Sequence, residues 1–281
     1  MRLLLCTDGS SYAEQAAQFG ALIAHAAPGD VVLLGIAESR GAEARVAAAQ
    51  ARLRETLAAA LPGLTLKTRF GRAAEQILAE SGEAHYDLIV IGSRGRRGLT
   101  RFLLGSTAAT LAKHCRAPLL IVKGGRAGLR RVLVCTGGAL AGEATARLGG
   151  QIAGATGAAV VVLHVMSQLA LVPEANVYEL QLTAEQAIAA GTREGLHLDR
   201  ALAIVREAGA GQEPSAKIRR GLVVDEILDE VETGDYDLVV IGAHYFPPET
   251  ARPKARPWPL LFDDVSDQIV SHCRRPVLVV R

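Results

Sequence analysis

Tyr86-Asp-Leu-Ile-Val-Ile-Gly-Ser-Arg-Gly95 joins an apolar run to a glycine turn, and Tyr236-Asp-Leu-Val-Val-Ile-Gly242 restates its first seven residues in the second half of the chain. A run of Ile, Val and Leu this short, without polar alternation, reads as a strand buried on both faces of a parallel sheet. Working outward from it, strands are predicted at 2–7, 30–37, 64–70, 87–92 and 118–123. Helices are predicted between them at about 11–27, 42–60, 72–84 and 105–115. Pro28-Gly29 and Pro62-Gly63 stop two of these helices, and Ser10 is placed to cap the first. Strict alternation of strand and helix implies right-handed crossovers covering both faces of the sheet.

The whole order then recurs. Arg131-Val-Leu-Val-Cys-Thr136 restarts the pattern of Arg2-Leu-Leu-Leu-Cys-Thr7, and His272-Cys-Arg-Arg-Pro-Val-Leu-Val-Val280 repeats His114-Cys-Arg-Ala-Pro-Leu-Leu-Ile-Val122. Gly124-Gly-Arg-Ala-Gly128 is the natural linker, giving domains at 1–124 and 129–281. The fold class is α/β: two tandem, doubly wound, five-stranded parallel-sheet domains. Closing strands so apolar are expected to meet each other across a pseudo-twofold axis, making the chain an internal dimer. Pairing between chains stays open.

Two insertions distinguish the second half. Ala184, Ile188, Gly191, Gly195, Leu198, Leu202 and Val205 form a helical stripe that lengthens its second helix, with internal glycines weakening it. The segment Phe246-Pro-Pro-Glu-Thr-Ala-Arg-Pro-Lys-Ala-Arg-Pro-Trp-Pro259 holds five prolines and reads as an irregular loop, either a free surface loop or a cover or docking arm using Phe246 and Trp258.

With 281 residues, 49% of them hydrophobic, the chain can fill two cores. A net charge of +2 and 4% aromatic residues argue against a nucleic-acid groove. No apolar stretch approaches the roughly 20 residues of a membrane span, and Met1-Arg-Leu-Leu-Leu-Cys6 is too short for a signal core, so a cytoplasmic protein is expected. Cys6 with Cys135, and Cys115 with Cys273, sit at matched positions and read as buried thiols in a reducing compartment.

Ligands of open parallel sheets bind beyond the carboxyl ends of the strands, where strand order reverses. Those ends carry Thr7-Asp8-Gly9, Ala37 and Gly92-Ser-Arg-Gly95. Asp8 can accept hydrogen bonds from a ribose diol. Gly92, Gly95 and Gly105 free backbone N–H groups, and Ser106 and Thr107 add hydroxyls at a helix start that favours an anion. Arg94, Arg96, Arg97 and Arg101 bring positive charge. Taken singly, Asp8-Gly9-Ser10 reads as a turn and cap, and the arginines as a solvated face. Their conjunction at strand ends reads as a phosphate cradle.

The spacing Gly92-x2-Gly95-x9-Gly105-Ser106, with Asp8, the closing strand and the duplication, resembles the universal stress protein family over nearly the whole chain, as a tandem member. The resemblance implies an adenine nucleotide alpha hydrolase-like fold. It implies that Asp8, next to Thr7, holds a ribose, and that main chain at Ala37 and Ile91 fixes adenine. Gly92, Arg94, Gly95, Gly105, Ser106 and Thr107 would hold the phosphates of ATP, with Mg or Mn on the phosphate oxygens. No catalytic residue and no protein metal site are expected. The second half departs from the signature: Gly137 stands for Asp8, Tyr245 for Gly95, and Asp263-Asp264 for Gly105-Ser106. Carboxylates at a helix start would repel phosphate, so one ATP site per chain is expected.

The function implied is that of an ATP-binding stress-response regulator acting through an unknown protein partner. A slow ATPase or adenylyl-transfer enzyme on the same site, and a non-binding interaction module, are the alternatives. No Gly-Lys dipeptide and no Gly-x-Gly-x-x-Gly occurs, which argues against phosphate-loop and dinucleotide enzymes.

Overall fold

The computed structural model describes residues 1–27, 29–94, 104–124, 128–137, 140–167, 181–243 and 259–281. Its elements run β1 (Leu3–Thr7), α1 (Ser11–Ala26), β2 (Val31–Ala37), α2 (Arg40–Leu57), β3 (Thr65–Phe70), α3 (Ala73–Glu83), β4 (Leu88–Gly92), α4 (Ser106–His114) and β5 (Leu119–Val122). The repeat follows as β6 (Arg131–Cys135), α5 (Leu140–Thr156), β7 (Ala159–Ser167), α6 (Ala184–Ala190), α7 (Arg193–Glu207), β8 (Ser215–Gly221), α8 (Val223–Thr233), β9 (Leu238–Gly242), α9 (Pro259–His272) and β10 (Val277–Val280). No described helix is long and apolar enough to cross a membrane.

The chain divides into two compact units, Met1–Gly128 with His244–Val279 and Arg281, and Leu129–Ala243 with Val280. In the first unit the strand order is β3-β2-β1-β4-β5-β10. Strands β1 to β5 are parallel, and β10 closes the row antiparallel to β5. That ladder sets Leu278 opposite Leu120, with Val277 opposite Ile121 and Val279 opposite Leu119. Leu120 and Leu278 are equivalent in the two repeats, so the closing strands do meet, symmetrically about that pair. Leu3, Leu4, Leu5, Leu88, Ile89 and Val90 have no exposed surface, as strands covered on both faces require.

In the second unit β6 lies between β9 and β7, with β8 beyond β7, all parallel. The expected long second helix is two helices. Gly191 takes a left-handed φ of 64° and ends α6, and Thr192 caps α7 by accepting from Gly195 N–H at 3.1 Å. A capping box between Thr183 and Gln186 fixes the start of α6. Asp263 and Asp264 also differ from expectation: they lie inside α9, whose backbone begins at Pro259, not at its start. A proline at the first helical position is already set to the helical φ and lengthens the helix upstream. The rest of the 246–259 insertion, with Tyr245, lies outside the described residues.

The repeated Tyr-Asp dipeptide has a structural purpose in each unit. Buried Tyr86 donates to Glu80 Oε1 at 2.7 Å, which also accepts from Lys67 at 2.7 Å, while Arg69 Nε reaches Oε2 at 2.9 Å. Tyr236, Lys217 and Arg219 repeat this around Glu230, at 2.7, 2.7 and 3.0 Å. Asp87 Oδ2 accepts from Arg2 N–H at 2.6 Å, and Asp237 Oδ2 from Arg130 and Arg131 N–H at 2.9 and 3.1 Å. These bonds lock the beginnings of neighbouring parallel strands together. All four cysteines are buried and none is in a disulfide.

Candidate functional site

Strand β1 of the first unit runs between β2 and β4, so strand order reverses around it and leaves a crevice at its carboxyl end. Thr7, almost fully buried, ends β1 and accepts from Gly9 N–H at 3.1 Å. Asp8 follows, its Oδ1 accepting from Ser10 N–H at 2.9 Å, and Ser10 Oγ caps α1 through Ala13 N–H at 3.3 Å. One carboxylate oxygen of Asp8 therefore serves the turn, as the turn-and-cap reading expects. Its Oδ2 has no hydrogen bond among the described residues.

Arg45 of α2 packs its side chain against Gly9 and reaches the Asp8 carbonyl at 3.5 Å, a contact that sequence reasoning missed. Its Nε is buried without a partner among the described residues.

Gly92, expected to face phosphates, is also required by packing. A Cβ there would stand 2.9 Å from the carbonyl carbon and oxygen of Tyr12, so β4 meets the first turn of α1 backbone to backbone. The next residue, Ser93, donates from N–H to Val122 O at 2.9 Å and accepts from Gly105 N–H at 2.9 Å. The two ends of the glycine loop are thus clasped together. Gly105 is the N-cap of α4, without a side-chain cap bond, and Ser106 and Thr107 form the first helical residues. Arg94 lies 5.8 Å from the centre of the Tyr12 ring. Gly95, Arg96, Arg97 and Arg101 lie outside the described residues.

Ala37, at the end of β2, is buried, and its carbonyl accepts from Gly71 N–H at 3.0 Å. Ile91 is buried and set opposite Ile121 in the β4–β5 ladder. Register places Thr7 beside Gly35 in β2, and Leu5 beside Val90 in β4, so Thr7, Ala37, Ile91 and Gly92 gather at one end of the sheet. A separate groove of about 550 Å³, lined by residues such as Gln50, Arg54, Leu66 and Thr68, lies between α2 and β3 and includes none of the expected site residues.

Just past the end of β5, Lys123 donates to Ser271 O at 3.4 Å, Cys273 O at 2.7 Å and Val270 O. Burial pushes its ammonium down to about 8, aided by the charge of Arg94, and only the Cys273 thiol opposes this.

The equivalent crevice of the second unit is built differently. Thr136 repeats Thr7, but its carbonyl accepts from His164 Nδ1 at 3.2 Å, and His164 stands in β7 beside His197 of α7, the ring centroids 5.0 Å apart. Burial lowers both imidazole pKa values, so both rings are neutral near pH 7. Neither histidine was singled out by sequence reasoning, because one lies within a strand and the other beside a helical stripe.

A model of the universal stress protein family matches residues 1–123 and again residues 128–281. Over 53 residues the chain is 42% identical to Universal stress protein MJ0531 of Methanocaldococcus jannaschii, a match spanning 19% of this chain and 31% of that protein. The chain thus spans about a third of the length of this curated relative. Among solved structures, a universal stress protein from Archaeoglobus fulgidus DSM 4304 superposes with a TM-score of 0.66 at 16% identity, covering 99% of this chain and 97% of that one. A functionally unknown protein, PA1789 from Pseudomonas aeruginosa PAO1, gives 0.66 at 19% identity, covering 99% and 91%. At such identities the likeness is one of fold.

Proposed function

This chain belongs to the universal stress protein family, and from that premise we propose that it is a cytoplasmic regulatory protein binding one ATP in the first unit's strand-end crevice. What supports this reading is the register that sets the ends of β1 and β4 level, with Asp8 following the one and the Ser93–Gly105 clasp that leads into α4 following the other. Asp8 Oδ2 would accept from the ribose hydroxyls, a charge-assisted bond worth about 1.5–3 kcal/mol. Main-chain groups at Ala37 and Ile91 would border the adenine. The start of α4, with Ser106 and Thr107, would take the phosphates, and its dipole adds about 0.3–1 kcal/mol for an anion. Mg²⁺ or Mn²⁺ would ride on the phosphate oxygens and neutralise part of their charge. ATP binding would alter the surface that a protein partner reads.

The second unit would bind no nucleotide. Gly137 there has no carboxylate for a ribose, and the His164 imidazole holds the Thr136 carbonyl at the end of β6. Calorimetry with ATP and Mg²⁺ tests both statements. One site per chain, weakened roughly 10- to 150-fold by Asp8→Ala, supports the reading. No heat at millimolar ATP rejects it in favour of the interaction module, and two sites per chain reject the account of the second unit.

A further inference from the structure

We propose that His164 and His197 of the second unit form a binding site for a borderline transition-metal ion of the zinc class, a site separate from the nucleotide crevice. Three observations converge on it. A carbonyl can only accept, so the bond from His164 Nδ1 to Thr136 O puts the proton on Nδ1 and leaves the lone pair of the neutral ring on Nε2. A backbone carbonyl fixing one ring nitrogen so that the other can ligate is the usual support for a metal-binding histidine. Next, His197 Nε2 is buried and has no hydrogen-bond partner among the described residues. An orphaned buried nitrogen costs about 1–3 kcal/mol, a cost that an ion would remove.

The spacing agrees. With metal–nitrogen bonds of about 2.0–2.1 Å, two imidazoles arranged tetrahedrally about one ion have centroids about 5 Å apart. The two rings stand 5.0 Å apart and tilted by 59°.

Imidazole pairs select zinc, copper or nickel over magnesium or calcium, which prefer oxygen. Glu194 lies one turn before His197 on α7, and its charge reaches both rings, favouring a cation; Arg193 opposes it at His164. Among the described residues no three of His, Cys, Asp and Glu are gathered into a closed cage. The two histidines are the fixed ligands, and water or Glu194 completes the shell, which makes the ion exchangeable.

The test is titration of the full-length protein with ZnCl2 against a chromophoric chelator, for the wild type, His164→Gln and His197→Gln. The expected result is one zinc per wild-type chain, weakened at least tenfold in each variant, with equal far-UV circular dichroism in chelator. Equal zinc stoichiometry and affinity in all three proteins overturns the proposal. Should either variant fail to fold, 15N spectra of wild-type imidazoles decide: zinc must shift the His164 and His197 nitrogens, and unmoved signals overturn the site. ATP is absent throughout, so failure here leaves the nucleotide reading untouched.

Discussion

Lys123 and Arg281 are the same position of the two repeats, and each caps the helix of the opposite repeat: Lys123 donates to the carbonyls of Val270 and Cys273 behind α9, and Arg281 to those of Ala112 and Cys115 behind α4. The four carbonyls are themselves equivalent positions, so the contact has the symmetry of the β5–β10 ladder, centred on Leu120 and Leu278. Helix carbonyls without intrahelical partners need such donors when water is excluded. Arg281→Ala should cost about 1–3 kcal/mol, read as a lower midpoint in urea. An unchanged midpoint would show that water replaces the guanidinium.

Lys123 differs from its counterpart in being able to lose its proton. Its folded pKa of about 8 lies below the ordinary lysine value, so between about 8 and 10.5 the unfolded chain binds more protons and stability rises with pH. A neutral amine keeps two N–H donors for the same carbonyls. NMR of the side-chain 13Cε and 15Nζ signals of the five unmodified lysines should show one amine titrating near 8 and absent in Lys123→Arg. All signals titrating above 10 would refute the assignment.

Glu80 should dominate acid unfolding of the first unit. Burial pulls its pKa up, but hydrogen bonds from Lys67, Tyr86 and Arg69 outweigh it and bring the carboxyl down to about 2. A carboxylate depressed in the fold contributes stability above its unfolded value, near 4.5, and loses it as pH falls toward 2. The contribution at pH 7 is about 3 kcal/mol. Glu80→Gln should lower stability at pH 7 and flatten its dependence between pH 4.5 and 2. A parallel acid limb in the variant would place the acid sensitivity elsewhere. Glu230, lowered in the same direction by Lys217, Tyr236 and Arg219, makes the matching case in the second unit.

Those ionic clusters were not legible in the sequence, although their frame was. Apolar runs and Pro-Gly punctuation located β4 and α1 within a residue or two, because strand burial and helix stops are local. The candidate site was legible for the same reason: Thr7, Asp8 and Gly92 are strand ends, and strand ends converge in this fold. Glu80 has the appearance of a solvent-facing helix charge, and Lys123 beside Gly124 that of a linker charge. Their partners lie on other elements, from Lys67 in β3 to Cys273 behind α9, and only tertiary packing joins them. The break at Gly191 had a local signal in Gly191-Thr192, a left-handed helix stop followed by a capping residue, which the continuous stripe of small and apolar residues concealed.

Gly92→Ala separates packing from ligand binding at the loop. The added methyl would press on the Tyr12 carbonyl, which is backbone and cannot rotate away. A loss of about 1–3 kcal/mol is expected without any nucleotide present. Unaltered stability with weakened ATP binding would instead assign Gly92 to the phosphates alone.

Gly105→Asp should move stability and affinity in opposite directions. Gly105 caps α4 at φ −66° and ψ 150°, a conformation open to any residue, and it supplies no side-chain acceptor. Aspartate there accepts from the first-turn N–H groups and favours the helix dipole, so the fold should hold or gain a few tenths of a kcal/mol. The same carboxylate occupies the N–H groups proposed for phosphate and repels its charge by up to about 4 kcal/mol at 4 Å. Thermal unfolding without ligand should therefore be unchanged or higher, while calorimetry shows ATP binding lost. Retained affinity would remove the start of α4 from the phosphate site, whereas a lower melting temperature would mean that the cap is held by strain and not by its backbone geometry.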